Sequence, residues 1–220
     1  MPESETGRSP LPRSFFTRPT VELAVALLGV CLVRRWEDGT ASVGVIVETE
    51  AYGGPEDRAS HARSGPTRRN AAMFGPPGHA YVYRVYGLHT CLNVVGAAEG
   101  AVGAVLVRAV APLEGIEALA ARRTPPDRAT PPRARLATGP GNVGAAFGID
   151  LELDGADLTA LGPLGLAAPT AGMREALLAD GVVVATRVGV AYAGSGWSDR
   201  PWRFGVRGHA SLSRPFPPSG

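Results

Sequence analysis

The run ASVGVIVETEAY at residues 41–52 sets the strongest limit on how this chain folds. Its closely spaced valines and isoleucine favour a buried β-strand. Asp38-Gly39, just before it, is a turn signal that pairs it as a hairpin with residues 30–36. In a strand alternate residues share a face. Val45, Val47, Thr49 and Ala51 are therefore expected on one side, and Ile46, Glu48, Glu50 and Tyr52 on the other. Acids in a strand admit two readings. Either the second face meets water, or it lines a cleft in which a carboxylate holds and deprotonates a water while a nearby phenol orients it.

Elsewhere strands mostly follow one another directly. Two Val- and Tyr-rich runs flank Tyr86-Gly87-Leu88 and predict a second hairpin over residues 79–96. Further strands are expected at 103–110, 182–190 and 203–207. Helices are expected at 19–28, with Pro19 near the start and Gly29 past the end, at 112–123 behind Pro112, and near 140–148. This pattern predicts an α+β fold: a single domain with a mixed, mostly antiparallel sheet, flanking helices and a protruding hairpin. A chain of 220 residues is long enough for one such core. The domain is expected over residues 14–212, between a disordered tail at 1–13 and a frayed one at 213–220. The loop at 53–78 is long enough to be functional or disordered.

Charge says little about partners, because the formal net charge is only +2. The kind of charge says more. All 22 basic residues are arginine, so no side-chain amine is available for a Schiff base. The two cysteines, Cys31 and Cys91, have neither CxxC nor CxxH spacing and are expected as reduced core thiols. No histidine stands at ligand spacing, so a metal is set aside. The N-terminus lacks an apolar run and no segment approaches the ~20 apolar residues of a membrane span, which points to the cytoplasm and away from membranes.

The second hairpin concentrates aromatic residues. Tyr81 and Tyr83 share a face, and Tyr86 stands at the tip. A tip tyrosine either folds back onto its own sheet or serves as a wedge that enters a base stack. Arg68, Arg69 and Arg84 are placed to meet phosphates nearby. The Gly139-Pro140-Gly141 turn before a helix offers backbone donors for another.

The segments VETEAYGGPEDRASH, RNAAMFGPPGHAYVYRVYGLHTCLN and VLVRAVAPLEG, followed by TGPGN, RVGVAYAG and WRFGVRG, resemble in order and spacing the alkyladenine type of 3-methyladenine DNA glycosylase. The resemblance spans residues 15–210. It implies a fold like the C-terminal domain of methionyl-tRNA formyltransferases, no metal or organic cofactor, and a monomer acting on damaged double-stranded DNA, hence associated with the nucleoid. The implied reaction flips an alkylated or deaminated purine (3-methyladenine, 7-methylguanine, hypoxanthine) out of the duplex and hydrolyses its N-glycosidic bond. Glu50 falls on the general base of that family. Arg108 and the carbonyl of Val188 fall where the attacking water is held. Tyr52, His61 and Tyr83 fall on the base pocket, Tyr86 on the intercalating tyrosine, and Asn93 on the residue that guards against normal guanine. Met73 and Arg123 match positions flanking the DNA-binding surface, beside Arg69 and Arg84. His89 and Ala111 depart from the pattern, standing in place of a tyrosine and an acid.

Glycosylases that also cut the strand usually attack the sugar with an amine, so a chain without lysine is expected to be monofunctional. The rival readings are a catalytically silent nucleic-acid-binding module, which needs no acid at position 50, and a free-nucleoside hydrolase, which needs no tyrosine at a hairpin tip.

Overall fold

The computed structural model describes residues 7–98 and 100–217. Strands β1 (Cys31–Arg35) and β2 (Ala41–Tyr52) form the first hairpin, and β3 (Ala80–Val85) with β4 (His89–Val95) the second. With β5 (Ala104–Glu114) and β6 (Leu164–Ala167) they make a sheet ordered β3-β4-β5-β2-β1-β6. Strand β8 (Arg203–Val206) joins β2 along Glu48–Glu50 and carries β7 (Val182–Ala185) on its far edge. Every one of these pairings is antiparallel. β2 is thus the centre of the molecule, with β5 on one edge and β1 then β8 on the other.

The main core lies between one face of this sheet and α1 (Thr20–Ala26) and α3 (Pro140–Ala146). Leu23 and Ala24 of α1 meet Ile46 and Ala51 of β2, Val105 and Val107 of β5, and Val143 and Phe147 at α3. α1 has only seven residues and is too short to persist alone. Its buried face holds it in place, and so does the Thr49 hydroxyl, which donates to the Ala24 carbonyl at 2.8 Å. α3 lies directly on β4: a Cβ at Gly144 would stand 2.3 Å from the Thr90 carbonyl oxygen. α2 (Ile116–Arg123) begins only after Gly115, whose φ of +60° turns the chain out of the strand. Pro112 therefore belongs to β5 and not to the expected helix start. It tolerates the strand because the ladder shifts there, between the Val43–Glu114 and Gly44–Pro112 pairs.

The second face of β2 is not open to water. α4 (Met173–Leu177), which the sequence reading did not anticipate, covers it. Met173 and Leu177 pack on Val43 and Val45, and Leu177 with Leu178 on Val47, Ala109 and Val206. The expected alternation also fails partway along. Ile46 faces the main core, but so do Thr49 and Ala51, while Val47 packs on the opposite side. The cause is a pair of bulges. Ile46 pairs with Val110 and Glu48 with Ala109, leaving Val47 as an extra residue on β2. Thr49 then pairs with Val107, leaving Arg108 as an extra residue on β5.

Packing continues across both expected tail boundaries. Leu11 is buried in the core, and Arg8 pairs with Glu114 at 2.6 Å. At the other end Ser213 bonds Glu48, and the Arg203 guanidinium stands 3.9 Å over the Phe216 ring. Residues 1–6 and 218–220 of the expected tails lie outside the described residues. Cys31 and Cys91 are both buried thiols. Among the described residues no helix is long and apolar enough to cross a membrane.

Candidate active site

The two bulges bring carboxylates and a guanidinium to the same point. Beyond Val47, Glu48 and Glu50 project from β2 on the side to which the bulge aims Arg108. Glu50 has no solvent exposure. Its Oε1 accepts the Val188 N–H at 2.7 Å and lies 3.2 Å from Arg108 Nη1. Its Oε2 accepts the Tyr52 hydroxyl at 2.8 Å. A carboxylate oxygen has two lone pairs, so one on Oε2 remains uncommitted. Burial pushes the Glu50 pKa above the ordinary glutamate value, and the charge of Glu48 adds to that. Arg108, the Val188 N–H and Tyr52 oppose it. Arg108 thus pulls the pKa down without deciding the net direction.

Tyr52, Arg108 and Val188, the three residues that bond Glu50, line a cavity of about 310 Å³, and Glu50 stands behind them without lining it itself; the volume is near the lower end of the roughly 300–1,000 Å³ usual for small-molecule sites. Tyr52, His61, Tyr83, Asn93, Arg108 and Val188 all line it. These six residues, spread over 137 positions of sequence from Tyr52 to Val188, converge on one cavity. His61 enters from a one-turn 3₁₀ helix, His61–Ser64, capped by the Ser60 hydroxyl, which accepts the Ala62 N–H. Asn70 ties the loop down by donating to the carbonyls of His61 and Gly65. His61 Nδ1 lies 2.7 Å from the Tyr81 hydroxyl, so only its Nε2 edge is left for a ligand. Burial lowers the His61 pKa and keeps the ring neutral at pH 7. The rings of His61 and Tyr83 meet edge to face at 4.6 Å, and Tyr83 stacks on Tyr81 at 5.4 Å. Burial pushes the Tyr81 phenol up to about 12 and the Tyr52 and Tyr83 phenols up as well, so all three stay protonated donors. Asn93 Nδ2 donates to the Tyr81 carbonyl at 3.1 Å.

Tyr86 stands at the cavity mouth, 91% exposed, and does not fold back onto its sheet. Its φ of +52° and that of Gly87, +71°, make a turn with both central residues left-handed. Leu88 beside it is 83% exposed, a second apolar tip residue that the sequence reading passed over. Arg84 is exposed on the same hairpin, and its carbonyl accepts Arg69 Nη2 at 3.2 Å. Met73 is a correction. It is buried against Ala62 and Tyr81, in the wall of the cavity, and has no surface to offer DNA. Arg123 sits at the end of α2 and spends its Nε on the Leu136 carbonyl. Pro140 of the TGPGN turn is part of the cavity wall.

Val188 reaches Glu50 because the expected strand 182–190 stops at Ala185. Arg187 turns inward there and forms a two-pronged pair with Asp57, Nη1–Oδ2 at 2.5 Å and Nη2–Oδ1 at 3.0 Å, with both side chains fully buried. The left-handed φ of Gly189, +77°, then takes the chain out of strand geometry. Arg187 also lies between two rings, 4.9 Å from Tyr52 and 5.0 Å from Trp202. Arg200 continues the column between Trp202 and Trp197 at 4.6 and 3.9 Å. Alternating cations and aromatics therefore back Tyr52 from behind. Nothing local in the sequence announces the Asp57–Arg187 pair, whose members are 130 residues apart.

Residues 14–210 match the methylpurine-DNA glycosylase family. The chain is 48% identical over 208 residues to a protein of Anaeromyxobacter dehalogenans provisionally named a 3-methyladenine DNA glycosylase, covering 94% of this chain and 88% of that one. It is 47% identical over 206 residues to a protein of Methanoculleus marisnigri with the same provisional name, covering 93% and 98%. It is 42% identical over 224 residues to the DNA-3-methyladenine glycosylase of Mus musculus, covering 96% of this chain and 63% of the mouse protein.

Proposed function

This chain belongs to the methylpurine-DNA glycosylase family and is a DNA N-glycosylase, a hydrolase of DNA repair; from that premise we propose that it extrudes a damaged purine into the cavity and hydrolyses its bond to the sugar with Glu50 as general base. The observation that carries this reading is the buried Glu50 carboxylate, with one uncommitted lone pair on Oε2, bonded to Tyr52, Arg108 and Val188, which line an aromatic cavity.

Tyr86 enters the minor groove and fills the gap left by the departing nucleotide. Unpairing costs a few kcal/mol, least for a damaged base. Tyr52 and Tyr83 stack on the extruded ring, worth roughly 1–3 kcal/mol per base contact, and a cationic alkylated purine gains most from a phenol face. The neutral His61 addresses the purine edge through Nε2. A water held by Glu50, Arg108 and the Val188 carbonyl gives its proton to Glu50 as its oxygen bonds to C1′, and the glycosidic electron pair leaves with the base. The Glu50 charge favours the oxocarbenium-like sugar on the way. Arg69, Arg84 and Arg123 hold phosphates, and the protein acts as a monomer on damaged duplex. With no lysine side chain to attack C1′, the product is an abasic site in an uncut strand.

The test is single-turnover base release from duplexes carrying one 3-methyladenine, 7-methylguanine or hypoxanthine, with Glu50→Gln alongside. The variant is expected to bind the duplex and release no base. Wild-type release by the variant would remove the general base. Release from free inosine but not from the duplex would favour the nucleoside hydrolase instead.

A further inference from the structure

We propose that Glu48 and Ser213 are positioning residues for base release: together they fix the Arg108 guanidinium so that its Nη1 is presented to Glu50, which makes the C-terminal segment part of the active site. The proposal rests on the reading of Glu50 as general base.

Arg108 makes three contacts with its planar head. Nε donates to Glu48 Oε1 at 3.0 Å, Nη2 donates to Ser213 Oγ at 3.0 Å, and Nη1 lies 3.2 Å from Glu50 Oε1. A guanidinium is rigid, so holding two of its nitrogens fixes the direction of the third. Glu48 accepts four hydrogen bonds in return. Its Oε1 accepts Arg108, Arg203 Nη1 at 3.2 Å and the Ser213 hydroxyl at 2.9 Å, while its Oε2 accepts the Ser213 N–H at 2.5 Å. The Ser213 hydroxyl thus donates to Glu48 and accepts from Arg108, which uses both of its capacities. Two carboxylates and two guanidiniums balance in charge, which is the condition for burying them at tolerable cost.

Arg203 extends the network. Its Nε donates to the Thr186 carbonyl, two residues before the Val188 N–H that bonds Glu50, and its Nη2 donates to the Pro215 carbonyl. One side chain therefore ties the C-terminal segment to the backbone that holds the base. Glu48 and Ser213 bond Arg108 and each other and make no bond to Glu50, so each acts on Glu50 through another side chain.

The groups that bear on the charge of Glu50 are Arg108 from β5, the Val188 N–H, Tyr52 and Glu48 from β2, and Tyr83 from β3; Arg203 on β8 meets Glu48 instead. Of these, Glu48 raises the Glu50 pKa by like charge. Removing that charge without removing the side chain therefore has a signature that simple loosening of the fold lacks.

The experiment measures single-turnover release and equilibrium binding on a duplex with one 7-methylguanine, using the full chain. Ser213→Ala is expected to slow release on the order of tenfold with binding unchanged, because it misaims Arg108 without touching the substrate. Ser213→Thr, which keeps the hydroxyl, is expected to restore the rate. Glu48→Gln, whose side-chain oxygen can still accept from Arg108 Nε, is expected to move the acid limb of the pH–rate curve to lower pH. A wild-type rate for Ser213→Ala while Glu50→Gln is inactive overturns the proposal and leaves the general base standing. Equal losses in the Ala and Thr variants, or a loss confined to binding, also overturn it. An active Glu50→Gln removes the reading underneath.

Discussion

The Tyr52 hydroxyl donates to Glu50 Oε2 at 2.8 Å, so the same ring that walls the cavity also holds the carboxylate. Tyr52→Phe separates these two roles. The hydrogen bond lowers the Glu50 pKa, so its loss lets that pKa rise further. Glu50 works ionised, and the acid limb of the pH–rate curve is expected to move to higher pH. Duplex binding is expected to hold, since the ring remains. A limb that stays in place or moves down would show that the hydroxyl does not govern the base.

Glu50→Gln is expected to leave the fold as stable as wild type or more so at neutral pH. Because burial raises the Glu50 pKa, the folded state binds its proton more tightly than the unfolded chain does. Stability from this group is present below the ordinary glutamate value and is lost as pH rises through the raised one. The amide carries no such loss: its oxygen can accept from Val188 and Arg108, and its nitrogen can donate to the Tyr52 oxygen. Denaturant titrations of both proteins between acid and neutral pH check this. A gap that closes as pH rises would contradict it.

Tyr86 holds a left-handed backbone, which costs a non-glycine residue on the order of 1 kcal/mol or more. Tyr86→Gly relieves that strain and is expected to leave stability unchanged or higher. Binding to damaged duplex should fall far more than release from a single strand. Equal effects on the two substrates would remove the wedge.

The Arg187–Asp57 pair is buried on both sides. Arg187→Met strands the Asp57 charge and is expected to cost about 3–5 kcal/mol of stability, the usual penalty for breaking such a pair from one side. Adding Asp57→Asn is expected to recover part of that loss. Thermal and denaturant unfolding of Arg187→Met, Asp57→Asn and the double variant decide it, and strict additivity would mean that the pair is not coupled.

Asn93 gives its amide N–H to the Tyr81 carbonyl and lines the cavity with the rest of its side chain. Asn93→Ser is expected to raise release of undamaged guanine by making room at that wall. Guanine release at the wild-type level from an undamaged duplex would count against it.

The hairpins were legible in the sequence because Asp38-Gly39 and Tyr86-Gly87 each carry local turn chemistry between β-rich runs. The convergence of Tyr52, His61, Tyr83, Asn93 and Arg108 was not legible from spacing. It came through resemblance to a family, because the contacts that bring these residues together span separate strands. α4 had a readable signal: MREAL consists of helix formers, between Gly172 and Gly181. The bulges had none, since Val45-Ile46-Val47 on β2 and the residues flanking Arg108 on β5 are apolar runs in which alternation cannot reveal a phase change. Glu48 was ambiguous for the same reason. Its partner Ser213 lies 165 residues away, in a segment whose composition suggested fraying.

The paired bulges have a further consequence. One added residue on β2 is cancelled by one on β5, so the ladder beyond them runs as it would in a plain sheet. The scaffold and the chemistry are therefore separable by length alone. A chain shortened at Val47 and Arg108 together would close the same register and have no guanidinium to set against an acid, whereas shortening at one position would turn half a strand inside out.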